Sequence, residues 1–233
     1  MAAILSRSSF FCNSAILQFC NAALGRYHVA VIPAIVLAAG KSTRMGRSKA
    51  NLPLEGGETF LSHIVRTFRD AGVDDVVVVV GHEQDAIMDA FSRTDRGARF
   101  VANPEYESGQ LSSLLSGLRV VDRPGVVAAL VTLVDVPLVT PATVRAVVNR
   151  YLQTHAPVVR PVRGDQHGHP VLIDRSLFEA IRRADPRSGA KPVVRAHAST
   201  AGDVPVEDEG AFLDIDTVDQ YQRLLGRAPG GVS

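Results

Sequence analysis

Residues 35–49 read Ile35-Val36-Leu37-Ala38-Ala39-Gly40-Lys41-Ser42-Thr43-Arg44-Met45-Gly46-Arg47-Ser48-Lys49, an apolar run that leads directly into a turn of small residues and then a series of cations. The apolar residues at 34–37 predict a buried strand. Ala38, Ala39 and Gly40 let the backbone come close to a ligand where a larger side chain would obstruct it, so their amides are candidates to donate to phosphate oxygens. Arg44, Arg47 and Lys49 then bring positive charge beside the turn. A strand, a small-residue turn and a cation run in this order describe a cradle for a polyphosphate.

Two other phosphate motifs share parts of the stretch, and neither fits. Gly40-Lys41-Ser42 matches the end of a P-loop, but that motif requires an earlier glycine where this chain has Ile35. A dinucleotide fingerprint fails because Gly40 is followed by Ser42 and Thr43 at the positions that matter.

Strand and helix patterns alternate outward from this segment. Phe60, Ile64 and Phe68, with Leu61 and Val65 beside them, form one apolar helix face over 59–72, closed by Gly72. Five consecutive valines, Val76 to Val80, predict a strand covered on both faces. A helix over 83–91, a strand over 99–102, a helix over 112–121 and a long apolar strand over 126–134 follow. Thr140-Pro141 supplies a cap and a first-turn proline for a helix over 141–155. Strands are predicted over 157–162 and 170–173, separated by a polar loop at 163–169. Thr217 and Gln220 make a capping box for a last helix over 218–225. The expected architecture is α/β: a single three-layer domain over 32–226, a mostly parallel sheet with helices on both faces, and a loose tail over 227–233. Ligands of such sheets sit beyond the carboxyl ends of the strands, which brings together the loop after Leu37, the segment after Ala102, and Asp135.

With 233 residues, 46% of them hydrophobic, the chain can bury one substantial core. A net charge of +1 and 6% aromatic residues argue against a nucleic-acid partner. Cys12 and Cys20 both precede the first strand of the domain, which excludes a disulfide framework there. Residues 1–31 carry Arg7 and Arg26 but no acidic residue; the first acidic residue is Glu55. Two readings stand for this segment, a targeting peptide and a disordered or mis-started extension, and the second is preferred. Arg7, Asn13, Gln18 and Asn21 argue against a membrane span.

The residues that bear chemistry lie in the loops. Asp135 closes an apolar strand just before Val136-Pro137, so its carboxylate emerges where the sheet stops; it is a candidate Mg²⁺ ligand or a turn cap. Asp214 and Asp216 alternate with Leu213 and Ile215 and can share one face; Asp216 is open to a metal role or to starting the final helix. Ser112 and Ser113 fall at a helix start after Gly109, where nucleotide contact and capping are both available. Asn103-Pro104 is open to a nucleotide role or a turn role. His169 follows Gly168 in a loop without zinc-ligand spacing and serves either an acceptor or the turn. Arg182, Arg183, Arg187, Lys191 and Arg195 are explained mostly by an exposed helix face.

The run LAAGKSTRMGRSK resembles the signature L-A-A/G-G-x-S-x-R-M-G-x-x-K of the MobA-like nucleotidyltransferases, most closely the MocA branch of molybdenum cofactor cytidylyltransferases. The likeness continues through Asn103-Pro104, residues 109–118, Val134-Asp135-Val136-Pro137, Gly168-His169-Pro170 and Leu213-Asp214-Ile215-Asp216, covering most of the chain from about Ile32. The glycine of the family's Gly-Asp-x-Pro motif is replaced here by Val134. The resemblance implies a Rossmann-like nucleotidyltransferase fold and transfer of a nucleotide from a nucleoside triphosphate to a phosphorylated acceptor, with pyrophosphate released. It implies catalytic roles for Lys49, Arg44 and Asp135, and Mg²⁺ on Asp135 and Asp216. Nucleotide contacts would come from Leu37, Ala38, Ala39, Gly40, Arg44, Lys49, Asn103, Ser112 and Ser113, and His169 would lie on the acceptor side.

The Leu-Ala-Ala-Gly form, associated with cytidine transfer, favours CTP with a molybdopterin acceptor and a transient protein partner for the finished cofactor. A triphosphate substrate implies a cytoplasmic enzyme; neither a membrane nor a nucleic-acid partner is expected. Two alternatives are a nicotine blue oxidoreductase-like NAD(P)-dependent enzyme and a nucleotide-binding module without turnover. The missing dinucleotide fingerprint counts against the first, and Asp135 together with Lys49 against the second.

Overall fold

The computed structural model describes residues 17–21, 26–42, 45–94 and 97–225. Strands β1 (Leu17–Asn21) and β2 (Arg26–Ala30) pair antiparallel as a two-stranded ribbon. The expected extension over residues 1–31 falls partly on these two strands and Val31, and otherwise lies outside the described residues. The expected tail over 227–233 lies outside the described residues. Val31 then bridges in parallel to Val126 and brings the chain into the main sheet.

The first strand of that sheet, β3 (Ala34–Leu37), is buried throughout. It is followed by α1 (Phe60–Asp70), capped reciprocally by Thr59 and Ser62, then by β4 (Val76–Val80), α2 (Gln84–Ser92) and β5 (Arg99–Ala102). Helix α3 (Gln110–Val121) starts two residues before the predicted 112, because Gly109, with φ 106°, turns the chain ahead of Gln110. After it come β6 (Ala128–Leu133) and α4 (Pro141–Thr154), the latter with the predicted Thr140 cap. The predicted polar loop contains a short strand, giving β7 (Val158–Arg163), β8 (Gln166–His167) and β9 (Val171–Asp174). Helices α5 (Phe178–Arg182) and α6 (Lys191–His197), strand β10 (Asp203–Pro205) and helix α7 (Val218–Leu225) complete the fold.

The strand order is β10-β7-β9-β6-β3-β4-β5, with β8 attached to β7. Strands β6, β3, β4 and β5 run parallel, whereas β9 is antiparallel to both β6 and β7. The reversal has a local cause: the β7–β9 connection turns back through β8 and is too short for a crossover helix. Alternate residues of the central strands face opposite layers. Val76, Val78 and Val80 pack with α1, α2 and α4, while Val77 and Val79 pack with α3 and α5. Leu37 stands opposite Val79 on one side and Leu133 on the other, so β3, β4 and β6 end level with one another.

Candidate active site

The level strand ends place the two informative loops side by side. The loop after β3 is anchored at its base, where the Ala38 amide donates to Val79 O (2.9 Å) and the Val134 amide to Leu37 O (3.1 Å). The Ala38 amide, expected among the phosphate donors, is therefore committed to the sheet. Further along, Ser42 adopts φ 48°, its carbonyl accepts from the Met45 amide, and its Oγ accepts from the Lys49 amide at 3.2 Å. A cleft of about 270 Å³ lies above the strand ends. Leu37, Ala39, Gly40, Ser42 and Lys49 form one wall, Tyr106, Gly109, Gln110 and Ser113 the other, and Leu133 to Asp135 the floor. A Cβ at Gly40 would meet no protein atom within 4 Å, so the space beside it is open.

Lys49 is only 9% exposed. Its Nζ donates to Asp135 Oδ2 at 3.1 Å and to Asp216 Oδ1 at 2.5 Å. A small separate core explains this convergence. Met45, Leu52, Leu54 and Phe60, around the Lys49 segment, pack against Ile215 and Tyr221. The Tyr221 hydroxyl donates to Pro53 O at 2.6 Å, and the Ile215 amide donates to Asp135 O at 2.8 Å. Asp216 stands at the start of α7, where its amide donates to Gln220 Oε1 at 2.8 Å, and its carboxylate meets Lys49.

Among the described residues this cluster holds three acidic side chains, Asp135, Asp214 and Asp216, and one lysine, Lys49. Burial, followed by the charge of Asp135, pushes the Asp214 carboxyl above the usual carboxylate range. Asp135 Oδ1 is buried without a hydrogen-bond partner among the described residues. Nowhere among those residues do three His, Cys, Asp or Glu side chains gather as a metal cage. A cation bound here would use one or two carboxylates together with phosphate or water oxygens, a coordination suited to magnesium. The excess charge and the unpartnered Asp135 oxygen fit such an ion.

The opposite wall carries the remaining polar candidates. Asn103 is 3% exposed, and its Nδ2 donates to Ser112 Oγ (2.8 Å) and Ser113 Oγ (3.0 Å). Its Oδ1 accepts from the Glu105 amide at 3.0 Å. Ser112 Oγ also lies within 2.9 Å of Glu105 O and 2.8 Å of Gly109 O. Asn103 and Ser112 therefore build the turn, while Ser113 lines the cleft.

His169 is partly buried, its amide bonded to Ala211 O and its Nδ1 3.4 Å from Val131 O. Burial pushes the imidazole below its ordinary value, opposed by the Val131 carbonyl and the charges of Asp214 and Asp135. Arg44 lies outside the described residues, and Arg47 is exposed.

Tyr106 escaped the sequence reading, although it lines the cleft. It packs so closely on Gly81 that a Cβ there would lie 2.6 Å from Tyr106 Cβ. Lys41 pairs with Glu107 at 2.5 Å beside the same ring. The glycine directly after the valine strand was the available signal for this close approach.

A mixed α/β sheet that ends in a small-residue loop, with a lysine and aspartates converging beside it, is the architecture of a nucleotidyltransferase-like protein. The MobA-like NTP transferase domain matches residues 34–201, and the chain belongs to that family. A nicotine blue oxidoreductase of Paenarthrobacter nicotinovorans is 30% identical over 214 residues, covering 87% of this chain and 100% of that protein. A probable molybdenum cofactor guanylyltransferase of Mycobacterium avium is 32% identical over 184 residues, covering 78% of this chain and 89% of that one. Among solved structures, Rv0371c of Mycobacterium tuberculosis H37Rv in complex with manganese has a TM-score of 0.66 at 27% identity, covering 85% of this chain and 99% of that one. No helix among the described residues is long and apolar enough to cross a membrane.

Proposed function

We propose that this protein transfers a nucleotide, CMP in preference to GMP, from a nucleoside triphosphate to a phosphorylated molybdopterin-type acceptor in the cytoplasm. The observation that carries the reading is Lys49, buried between Asp135 and Asp216 at the edge of a cleft bordered by the small-residue loop. Mere nucleotide binding does not need paired carboxylates at that position. The Leu37-Ala38-Ala39-Gly40 form supports CTP, and the molybdenum cofactor transferase among the relatives supports the acceptor class.

In the proposed reaction, an acceptor phosphate oxygen forms a bond to the α-phosphorus as the bond to the pyrophosphate oxygen breaks, and the electron pair leaves with pyrophosphate. No covalent enzyme intermediate is needed. The chain contributes position and fixed charge. Ala39 and Gly40 bring the backbone against the triphosphate, Lys49 offers its ammonium to phosphate oxygens, and Ser113 presents a hydroxyl from the opposite wall. His169, held neutral by burial, borders the acceptor side. Asp135 and Asp216 would hold a divalent cation, Mg²⁺ by preference, which when bound neutralises charge on the transferred phosphoryl group. The manganese reported with Rv0371c is compatible with a cation of this kind.

The test is pyrophosphate release with each nucleoside triphosphate and Mg²⁺, with and without molybdopterin, for the wild type and Asp135→Ala. Acceptor-dependent release that is greatest with CTP and lost in the variant is the expected result; turnover unaffected by the substitution would sink the metal assignment. The relative named as an oxidoreductase favours a second reading, hydride transfer with a nicotinamide cofactor. NAD(P)H oxidation independent of any triphosphate would establish that reading in place of the first.

A further inference from the structure

Resting on the reading of Asp135 and Asp216 as metal ligands, we propose that Lys49 is an internal competitor of the divalent cation, neutralising those carboxylates until nucleotide draws it away. One ammonium contacts both carboxylates, at 3.1 Å and 2.5 Å, and is almost wholly withdrawn from solvent. A divalent ion approaching Asp135 Oδ2 and Asp216 Oδ1 meets oxygens already occupied by a cation. The ammonium and the ion repel each other, and the repulsion is amplified where solvent screens poorly. Lys49 also borders the cleft, and its flexible stem can carry the charge from the carboxylates to phosphate oxygens. Triphosphate thus offers Lys49 a second set of anions and offers the metal additional oxygen ligands. Nucleotide and metal should load cooperatively, and metal alone should load weakly.

The consequence runs against ordinary expectation, because removing a residue of the reaction machinery should strengthen metal binding. Mn²⁺ titrated without nucleotide, followed by electron paramagnetic resonance and calorimetry, measures this directly. Lys49→Met keeps the stem and removes the charge, and its Mn²⁺ affinity should rise by about tenfold or more over wild type. Adding a non-hydrolysable triphosphate should increase Mn²⁺ affinity more in the wild type than in the variant.

Lys49→Met removes the ammonium that contacts Asp135 and Asp216, so its folding is followed by circular dichroism and by Tm with and without Mn²⁺. A larger Mn²⁺-induced rise in Tm than in wild type supports the proposal even if the variant is partly unfolded without metal. Lys49→Arg, which keeps the charge, should bind Mn²⁺ as weakly as wild type. Mn²⁺ affinity and Tm response in Lys49→Met no greater than in wild type would overturn the competition. Tighter binding that persists in Lys49→Met with Asp135→Asn would instead overturn the underlying ligand assignment, which separates the two failures.

Discussion

Lys49 Nζ and Asp135 Oδ2, 86 positions apart in the chain, lie 3.1 Å from each other at the carboxyl end of the sheet. Parallel pairing of β3 with β6 in a level register brings them together, since the loops leaving Leu37 and Leu133 begin as neighbours. A second tie, from the Ile215 amide to Asp135 O, adds Asp216 to the pair. The site is thus fixed by two strand ends and one clamped segment.

Asp135→Asn keeps the shape of the side chain and removes its charge. Lys49 retains Asp216 as a partner, so the fold should survive, as circular dichroism will show. The transfer rate should fall by about 10²–10³-fold, the range seen when one fixed electrostatic contact to a developing charge is lost. Activity within threefold of wild type at saturating Mg²⁺ would exclude Asp135 from the reaction.

Asn103 tests whether the cleft wall that carries Ser113 depends on a buried polar hub. Asn103→Ala removes the donor to two serine hydroxyls and the acceptor for the Glu105 amide; the bond to Ser113 is buried and the other two are partly so. Stability to urea should drop by about 1–3 kcal/mol, the usual cost of buried groups left unsatisfied. Nucleotide affinity should fall as well, because Ser113 loses its anchor. Unchanged urea stability would show that the turn stands without this amide.

The central strands and the capped helices were legible because local rules and tertiary environment agree there. The valines at 76–80 are buried on both faces, and Thr59, Thr140 and Thr217 start helices as their side chains allow. Elements between 175 and 205 were not legible, since α5, α6 and β10 are short and their apolar residues show little periodicity. Lys49, Asp135 and Asp216 could be nominated one by one from residue type and position. Their contact depends on the level register of β3 and β6 and on Tyr221 reaching Pro53, which no local window contains. The same limit applies to Asn103, where turn and nucleotide roles look alike until its amide is seen bonded to both serines.

His169 gives the protein a defined pH dependence of stability. Burial lowers its folded-state pKa below the ordinary 6.5, while Val131 O and the carboxylates of Asp214 and Asp135 act in the opposite direction and Lys191 adds to the lowering. Above pH 6.5 both states are neutral and the native state keeps its full stability. As pH falls through that value the unfolded chain takes up a proton before the native one does, so stability declines, by at most about 1.4 kcal/mol per pH unit, until the native pKa is reached. Denaturation at a series of pH values from 7.5 to about 5 should show this slope in the wild type and a shallower one in His169→Gln. Identical slopes would mean that the buried imidazole does not titrate differently in the two states.

Two glycines of the site should respond in opposite ways to the same added methyl group. In Gly117→Ala the new Cβ would lie 2.5 Å from Ile35 Cγ2 and 3.2 Å from Val79 Cγ2, so α3 must shift away from β3 and β4. Alanine's better helix propensity offsets about 1 kcal/mol. Overpacking a tight core costs about 1–3 kcal/mol, so a net loss of stability is expected. Ser113 lies one turn before Gly117 on the same helix, so displacement of α3 should weaken nucleotide binding too. Gly40→Ala meets no protein atom within 4 Å and should leave stability within about 0.5 kcal/mol of wild type. Its methyl group narrows the cleft beside the phosphate loop, so nucleotide affinity should fall while Tm stays constant. Measuring Tm and nucleotide Kd for both variants separates packing beneath the site from space within it; a Gly40→Ala protein that binds nucleotide as well as wild type would move the phosphates away from that loop.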